Sequence, residues 1–276
     1  MADVSSAASD AAGTVREAAR STPAKVAVRV GILAYGVTHL LIAWLALQVA
    51  FGNSGQRTDQ QGAFQTLAQG TAGRILLWVL ALGFAAVALW RAGEAAAGFS
   101  YRSSHKEQIF SRVTSGAKAV IFAALTVLAI RTALGGSSSG GGGQQAAAGV
   151  LGWPGGQWIV GIAGIVIVVV GAVTVKNGWQ KKFTEDMTLP LDQHARRAAV
   201  RTGQVGTIAK GVVTALVGVL VVVAAVRFDP NQANGLDSAL KTLAGQPFGS
   251  VLLVLVALGL AAFGVFCAFD ARYHRV

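Results

Sequence analysis

A chain of 276 residues that is 53% hydrophobic and 13% charged departs from an ordinary soluble domain, in which about a quarter of residues are charged. The net charge of +11 would suit a nucleic-acid binder, but its placement along the chain, set out below, argues against that partner. Six Leu-, Val- and Ala-rich runs with almost no charge reach the roughly 20 residues that a bilayer crossing needs, which puts the chain in the membrane class.

Residues 1–24 form an N-terminal tail rich in Ala and Ser, with charges of both signs. A surface helix starting near Asp10 and a disordered tail are both compatible with it. The tail has no apolar core followed by a cleavage site, so the first span is expected to serve as its own uncleaved targeting signal. The spans are predicted near 28–50, 73–93, 113–134, 157–176, 206–227 and 249–269. They are expected to be helices, because a backbone in lipid has to bond to itself.

The chain repeats itself, with repeats over 25–100, 108–183 and 200–276. Tyr35-Gly36-Val37, Lys118-Ala119-Val120 and Lys210-Gly211-Val212 align in the first helix of each repeat. Gly73, Gly156 and Gly249 then open each second helix at nearly constant spacing. The same register aligns Ala81, Gly164 and Ala257, and it aligns Glu94, Asn177 and Asp270. Ala81/Ala85 and Ala257/Ala261 have the small-xxx-small spacing that lets helices approach closely in lipid.

The connectors recur as well. Residues 62–67 and 236–243 read as short amphipathic helices lying at the outer interface. Gly135 to Gly143 is a Gly/Ser linker, expected to be the most mobile outer segment. A further short helix is predicted over 191–200. The fold class is therefore all-α, a polytopic membrane protein whose six transmembrane helices form three parallel two-helix repeats with pseudo-three-fold symmetry.

Sixteen of the basic residues fall on one side of this arrangement. They precede span one, follow span six, or lie in or beside the connectors after spans two and four, as Arg91, Arg102, Lys181 and Arg201 do. The opposite side carries five: Arg57, Arg74, Arg131, Arg227 and Lys241. The positive-inside rule then predicts a bacterial plasma-membrane protein with both termini in the cytoplasm. Anionic headgroups on that side are the expected lipid partners, and nucleic acid is not.

The repeated helix pairs, the basic or aromatic residue before a small residue in each first helix, and the run Gln246-Pro247-Phe248-Gly249 leading to Leu252-Leu253 carry a resemblance. The chain resembles the mainly actinobacterial domain of unknown function family 1206 over residues 25–275. The resemblance implies six plasma-membrane spans and no established activity.

Candidate functional residues are few. Lys118 and Lys210 lie within spans, which is costly unless the ammonium is satisfied. Snorkelling to the headgroups, pairing with Glu94 or Asp270, and a substrate or proton site are the open readings. Arg91 and Glu94 are three apart and can pair on one helix face. Glu94 and Asp270, with Asn177, would form a polar ring at a helix mouth if the second helices converge; polar helix ends meeting water are the plainer reading. His39, with Tyr35 one turn earlier, is either a packed histidine or a proton relay or ligand. Cys267 is the only cysteine, so no intrachain disulfide is available, and it reads as a small apolar residue.

The sequence shows no metal-binding spacing, no phosphate-binding glycine loop, no nucleophile elbow and no acidic pair in an outer loop. No cofactor and no enzymatic activity are therefore expected. Two functions fit: a scaffold or accessory subunit of a larger membrane complex, or a small transporter or channel with a path along the pseudo-three-fold axis.

Overall fold

The computed structural model describes residues 22–52, 57–97, 105–136, 142–187, 192–229, 233 and 235–273. The surface helix expected near Asp10 lies outside them. The described residues form nine α-helices and no β-strand. Six are long and apolar enough to cross a membrane: α1 (Thr22–Ala50), α3 (Thr71–Ala97), α4 (His105–Ala133), α6 (Gly156–Trp179), α7 (Gln193–Arg227) and α9 (Gly249–Tyr273). Between them lie three short helices, α2 (Gln60–Ala68), α5 (Gly142–Leu151) and α8 (Gly235–Ala244), and a 3₁₀ turn at Lys182–Asp186. The apolar runs thus become helices, the conformation that satisfies every backbone amide internally.

Of the Gly/Ser stretch Gly135 to Gly143, residues 137–141 lie outside the described residues, and α5 begins at Gly142. One expectation needs correction. The short helix expected over 191–200 is the first part of α7, a single helix of 35 residues. The Asp192 carboxylate caps it by accepting the Ala195 amide at 2.7 Å, which satisfies one of the free N–H groups at a helix start. The apolar stretch of span five continues this helix without a break. The short helices read as amphipathic are partly buried. Gln61, Gly62, Ala63 and Phe64 of α2 are buried, as are Asp237, Ala239 and Leu240 of α8.

The short helices share one register. Phe64, Ala147 and Leu240 each stand nine residues before the glycine that opens the next span, and all three are buried. A side chain on Gly73, Gly156 or Gly249 would run into the backbone carbonyl of Leu67, Val150 or Ala244 respectively. The chain doubles back so tightly there that only hydrogen fits. This is the physical reason for the glycine that begins each second helix.

By its contacts the chain falls into two compact units. The first takes in Met1–Tyr35, Leu67–Gly135 and His274–Val276, and the second Gly36–Thr66 and Gly136–Tyr273.

In the first unit α3 and α4 pack along their length. The start of α1 meets α3 glycine to glycine: a methyl added to Gly83 would stand 3.0 Å from the Gly31 Cα.

In the second unit α6 and α7 are the most extensively packed pair. Gly164, Gly171 and Gly178 of α6 face Val222, Ala215 and Ile208 of α7. In return, Gly211 and Gly218 of α7 face Val175 and Val168. Every step is seven residues, so the small positions stay on one seam as the two antiparallel helices run past each other. A methyl on Gly218 would lie 2.6 Å from the Val168 amide nitrogen, so the two backbones are nearly in contact. The same unit holds a second glycine crossing, where Gly36 of α1 meets Gly264 of α9. Gly211 against Gly171 is its repeat-equivalent. In both, the first helix of one repeat lies on the second helix of another.

α7 and α9, the two long helices of the third repeat, cross at Gly206, which seats against the Phe263 backbone. The Gly31–Val87 contact in the first unit is its equivalent. At the places of Gly31 and Gly83 the second repeat carries Thr114 and Val166.

Candidate functional site

The polar residues singled out above fall into two groups, one in each unit. In the first unit the carboxylate of Glu94, in the last turns of α3, accepts three hydrogen bonds. The Arg91 guanidinium donates at 2.8 Å, the Trp90 indole N–H at 3.0 Å and the Ser115 hydroxyl of α4 at 3.2 Å. Trp90, Arg91 and Glu94 meet because residues three and four apart share a helix face. Ser115 carries the network across to α4. Arg112 of α4 donates to the carbonyls of Ala95 and Ala96 at 2.8 and 2.6 Å. It closes the C-terminal end of α3, where carbonyls lack helical partners and a cation is favoured. The Arg91 Nε is buried with no hydrogen-bond partner among the described residues. Tyr35 stands edge-on to Phe122 at 5.3 Å between ring centres, and Phe84 lies on the same ring at 6.0 Å. Lys118, one turn before Phe122, is exposed on α4.

In the second unit one aromatic ring organises the other candidates. His39 of α1, only 4% exposed, stands edge-on to Phe263 of α9 at 4.8 Å. The Lys210 ammonium of α7 lies 4.4 Å from the centre of the same ring, close enough for a cation–π attraction. Cys267, buried one turn further along α9, packs beside Gly36. Asp270 follows Phe263 by about two turns on the same face of α9. The structure therefore brings His39, Lys210 and Asp270 to one face of α9. Glu94, Arg91, Tyr35 and Lys118 belong to the other unit. Lys118 and Lys210 are repeat-equivalent but differ in surroundings, because only the third repeat has an aromatic residue at the position of Phe263; Val87 and Val170 replace it.

Two features were missed in the sequence. The first is a pair of acids, Asp59 and Asp237, that come from two different connectors. Asp237 of α8, 6% exposed, accepts the Thr58 amide at 2.8 Å and pairs with Lys241 at 3.0 Å. Asp59 accepts the Gly62 amide as the cap of α2, and pairs with Arg57 at 2.8 Å. Each acid thus meets a cation and a backbone amide, and Asp237 ties α8 to the stretch before α2. Asp59 before a short helix and Asp237 four residues before Lys241 were the available signals. What the sequence could not supply was the 179-residue separation that Thr58 and Asp237 bridge.

The second is an open groove of about 690 Å³ where α7 emerges beside the end of α6. It is lined by Lys181 and Thr184 from the connector and by Gln193, Arg196, Arg197, Val200, Arg201 and Gln204 from α7. Phe183 fixes the connector, lying edge-on to Phe266 at 5.0 Å and against Gly203. Among the described residues no three His, Cys, Asp or Glu side chains stand close enough together to hold a metal ion.

No solved structure matches the chain. A relative, "Uncharacterized protein YxxB" of Bacillus subtilis (strain 168), is 27% identical over 249 residues, covering 90% of each chain. The family described as Domain of Unknown Function (DUF1206) matches three successive segments, 30–98, 113–181 and 205–274. Each segment contains one long first helix and one glycine-opened second helix of the repeat read from the sequence. With three matches that together cover most of its length, the chain belongs to the DUF1206 family, as a membrane-type helical protein of unknown function.

Proposed function

We propose that the protein is a non-enzymatic scaffold or accessory subunit of a larger plasma-membrane complex, with both termini in the cytoplasm and its basic connectors against anionic lipid. One observation carries this reading: the polar groups available for transport or chemistry are engaged in holding helices together. Glu94 spends both oxygens on Arg91, Trp90 and Ser115, and Lys210 and His39 both face the Phe263 ring. Meanwhile α6 offers an apolar flank, with Ile162, Ile165 and Val169 each more than half exposed. Lipid can cover such a stripe, and so can a partner helix.

The test is a photo-crosslinking amino acid at Ile165 in living cells. The scaffold reading expects one discrete protein adduct of constant size. Adducts to lipid alone would count against it.

A second reading, a small transporter, draws on the cluster of His39, Lys210, Cys267 and Asp270 between α1, α7 and α9. Ionisable residues at membrane depth are a usual mark of an ion or proton path. Ion flux in proteoliposomes that is abolished by Lys210→Met, with folding retained, would favour this reading over the first.

A further inference from the structure

The groove at the start of α7 has an unusual charge pattern. Its six α7 residues, Gln193, Arg196, Arg197, Val200, Arg201 and Gln204, recur at three- and four-residue steps and so form one stripe along the helix. Arg197 and Arg201 are four apart, a spacing at which like charges repel, and Lys181 adds a fourth cation from the facing connector. No acid among the described residues lines the groove. Among the described residues none of these four cations takes part in an ion pair. Asp192, at the groove's edge in sequence, caps α7 by accepting the Ala195 amide. Four positive charges converging on one cavity are unfavourable until an anion fills it. Guanidinium groups suit a phosphate, which they grip through paired N–H donors.

The surroundings say where that phosphate comes from. Trp179, 73% exposed, ends α6 two residues before Lys181, and tryptophan favours the headgroup level of a bilayer. The Gln204 amide reaches the Trp179 carbonyl at 3.4 Å, tying the two helices together at that level. Directly after Gln204 the apolar stretch of α7 begins. The cavity therefore opens at the border between polar and apolar surface, where a lipid's phosphate sits above its own acyl chains.

We propose that this groove is a binding site for the phosphate of an anionic phospholipid, held by Arg196, Arg197, Arg201 and Lys181. The site rests on the membrane assignment but not on the choice between scaffold and transporter.

Native mass spectrometry of the full chain in detergent, titrated with phosphatidylglycerol and with phosphatidylcholine, tests it. The wild type should retain phosphatidylglycerol at least tenfold more tightly. R196Q/R201Q should lose most of that preference, whereas R131Q/R227Q, which removes the same charge from other helix ends, should keep it. Both arginine pairs are exposed, and an unchanged gel-filtration profile verifies folding. Equal phosphatidylglycerol retention by R196Q/R201Q and wild type would overturn the site. Inorganic pyrophosphate that displaces the lipid at matching concentration would overturn the lipid assignment in favour of a soluble phosphate compound.

Discussion

Asp237 shows how a single buried side chain can join distant parts of this chain. Its carboxylate is the acceptor for the Thr58 amide and the partner of Lys241. Asp237→Ala would leave a buried N–H without an acceptor, at a cost of about 1–3 kcal/mol. Lys241 is 44% exposed at its side chain, so Lys241→Met should cost under about 1 kcal/mol. Thermal unfolding of both variants in the same detergent measures the difference, and equal losses would mean that the ion pair, not the amide contact, matters. Phe248 offers the opposite sign. It holds a left-handed backbone with φ of 62°, which costs a non-glycine residue roughly 1–2 kcal/mol, and its side chain is 83% exposed. Phe248→Gly should therefore raise the unfolding midpoint in detergent; a lower midpoint would reveal a packing role. Gly155 already occupies the equivalent left-handed position in the second repeat. Of these residues the sequence announced Phe248 through its motif and concealed Asp237, whose partner is set by tertiary folding alone.

Glycine spacing governs the helices as elements. Gly171 sits against the Ala215 backbone, and a methyl there would stand 2.5 Å from the Ala215 nitrogen. Gly171→Leu should push α6 and α7 apart and cost at least about 1–3 kcal/mol, the usual penalty of overpacking. Gly149, which meets nothing within 4 Å, is the matched control, and Gly149→Ala should be close to neutral. Unfolding curves of the pair decide it; similar losses would contradict the seam. The span boundaries were legible because a long apolar run in lipid has one backbone solution. The seam was harder to read. Gly164 was recognised only as the counterpart of Ala81 and Ala257, and the seven-residue rhythm of Gly164, Gly171 and Gly178 gains meaning only once α7 is known to face it. The second short helix, α5, was hidden by the Gly/Ser run before it, although Ala147 keeps the same nine-residue distance to Gly156 that Phe64 and Leu240 keep to Gly73 and Gly249.

At the scale of the whole molecule, the family match repeats along the chain with the period read from its glycines. A hairpin that starts and ends on one face, copied three times, places every connector within a hairpin on one side and every connector between hairpins on the other. Under the proposed orientation the basic connectors between hairpins would face the cytoplasm, as the positive-inside rule expects. The candidate site was only partly legible at this scale. Lys210 and His39 stood out as ionisable residues in apolar runs, but their shared partner Phe263 was one apolar residue among many. The basic groove was visible only as loop charge until α7 proved continuous and set its arginines on one stripe. The most direct measurement is cysteine accessibility in intact cells. In a Cys267→Ala background, single cysteines at Ser103, Thr184 and Val276 should resist a membrane-impermeant maleimide until the cells are opened, while those at Gln69, Trp153 and Gln246 should react from outside at once. Labelling of Thr184 or Val276 from outside, or protection of Gln246, would contradict three hairpins inserted in the same direction with both termini inside.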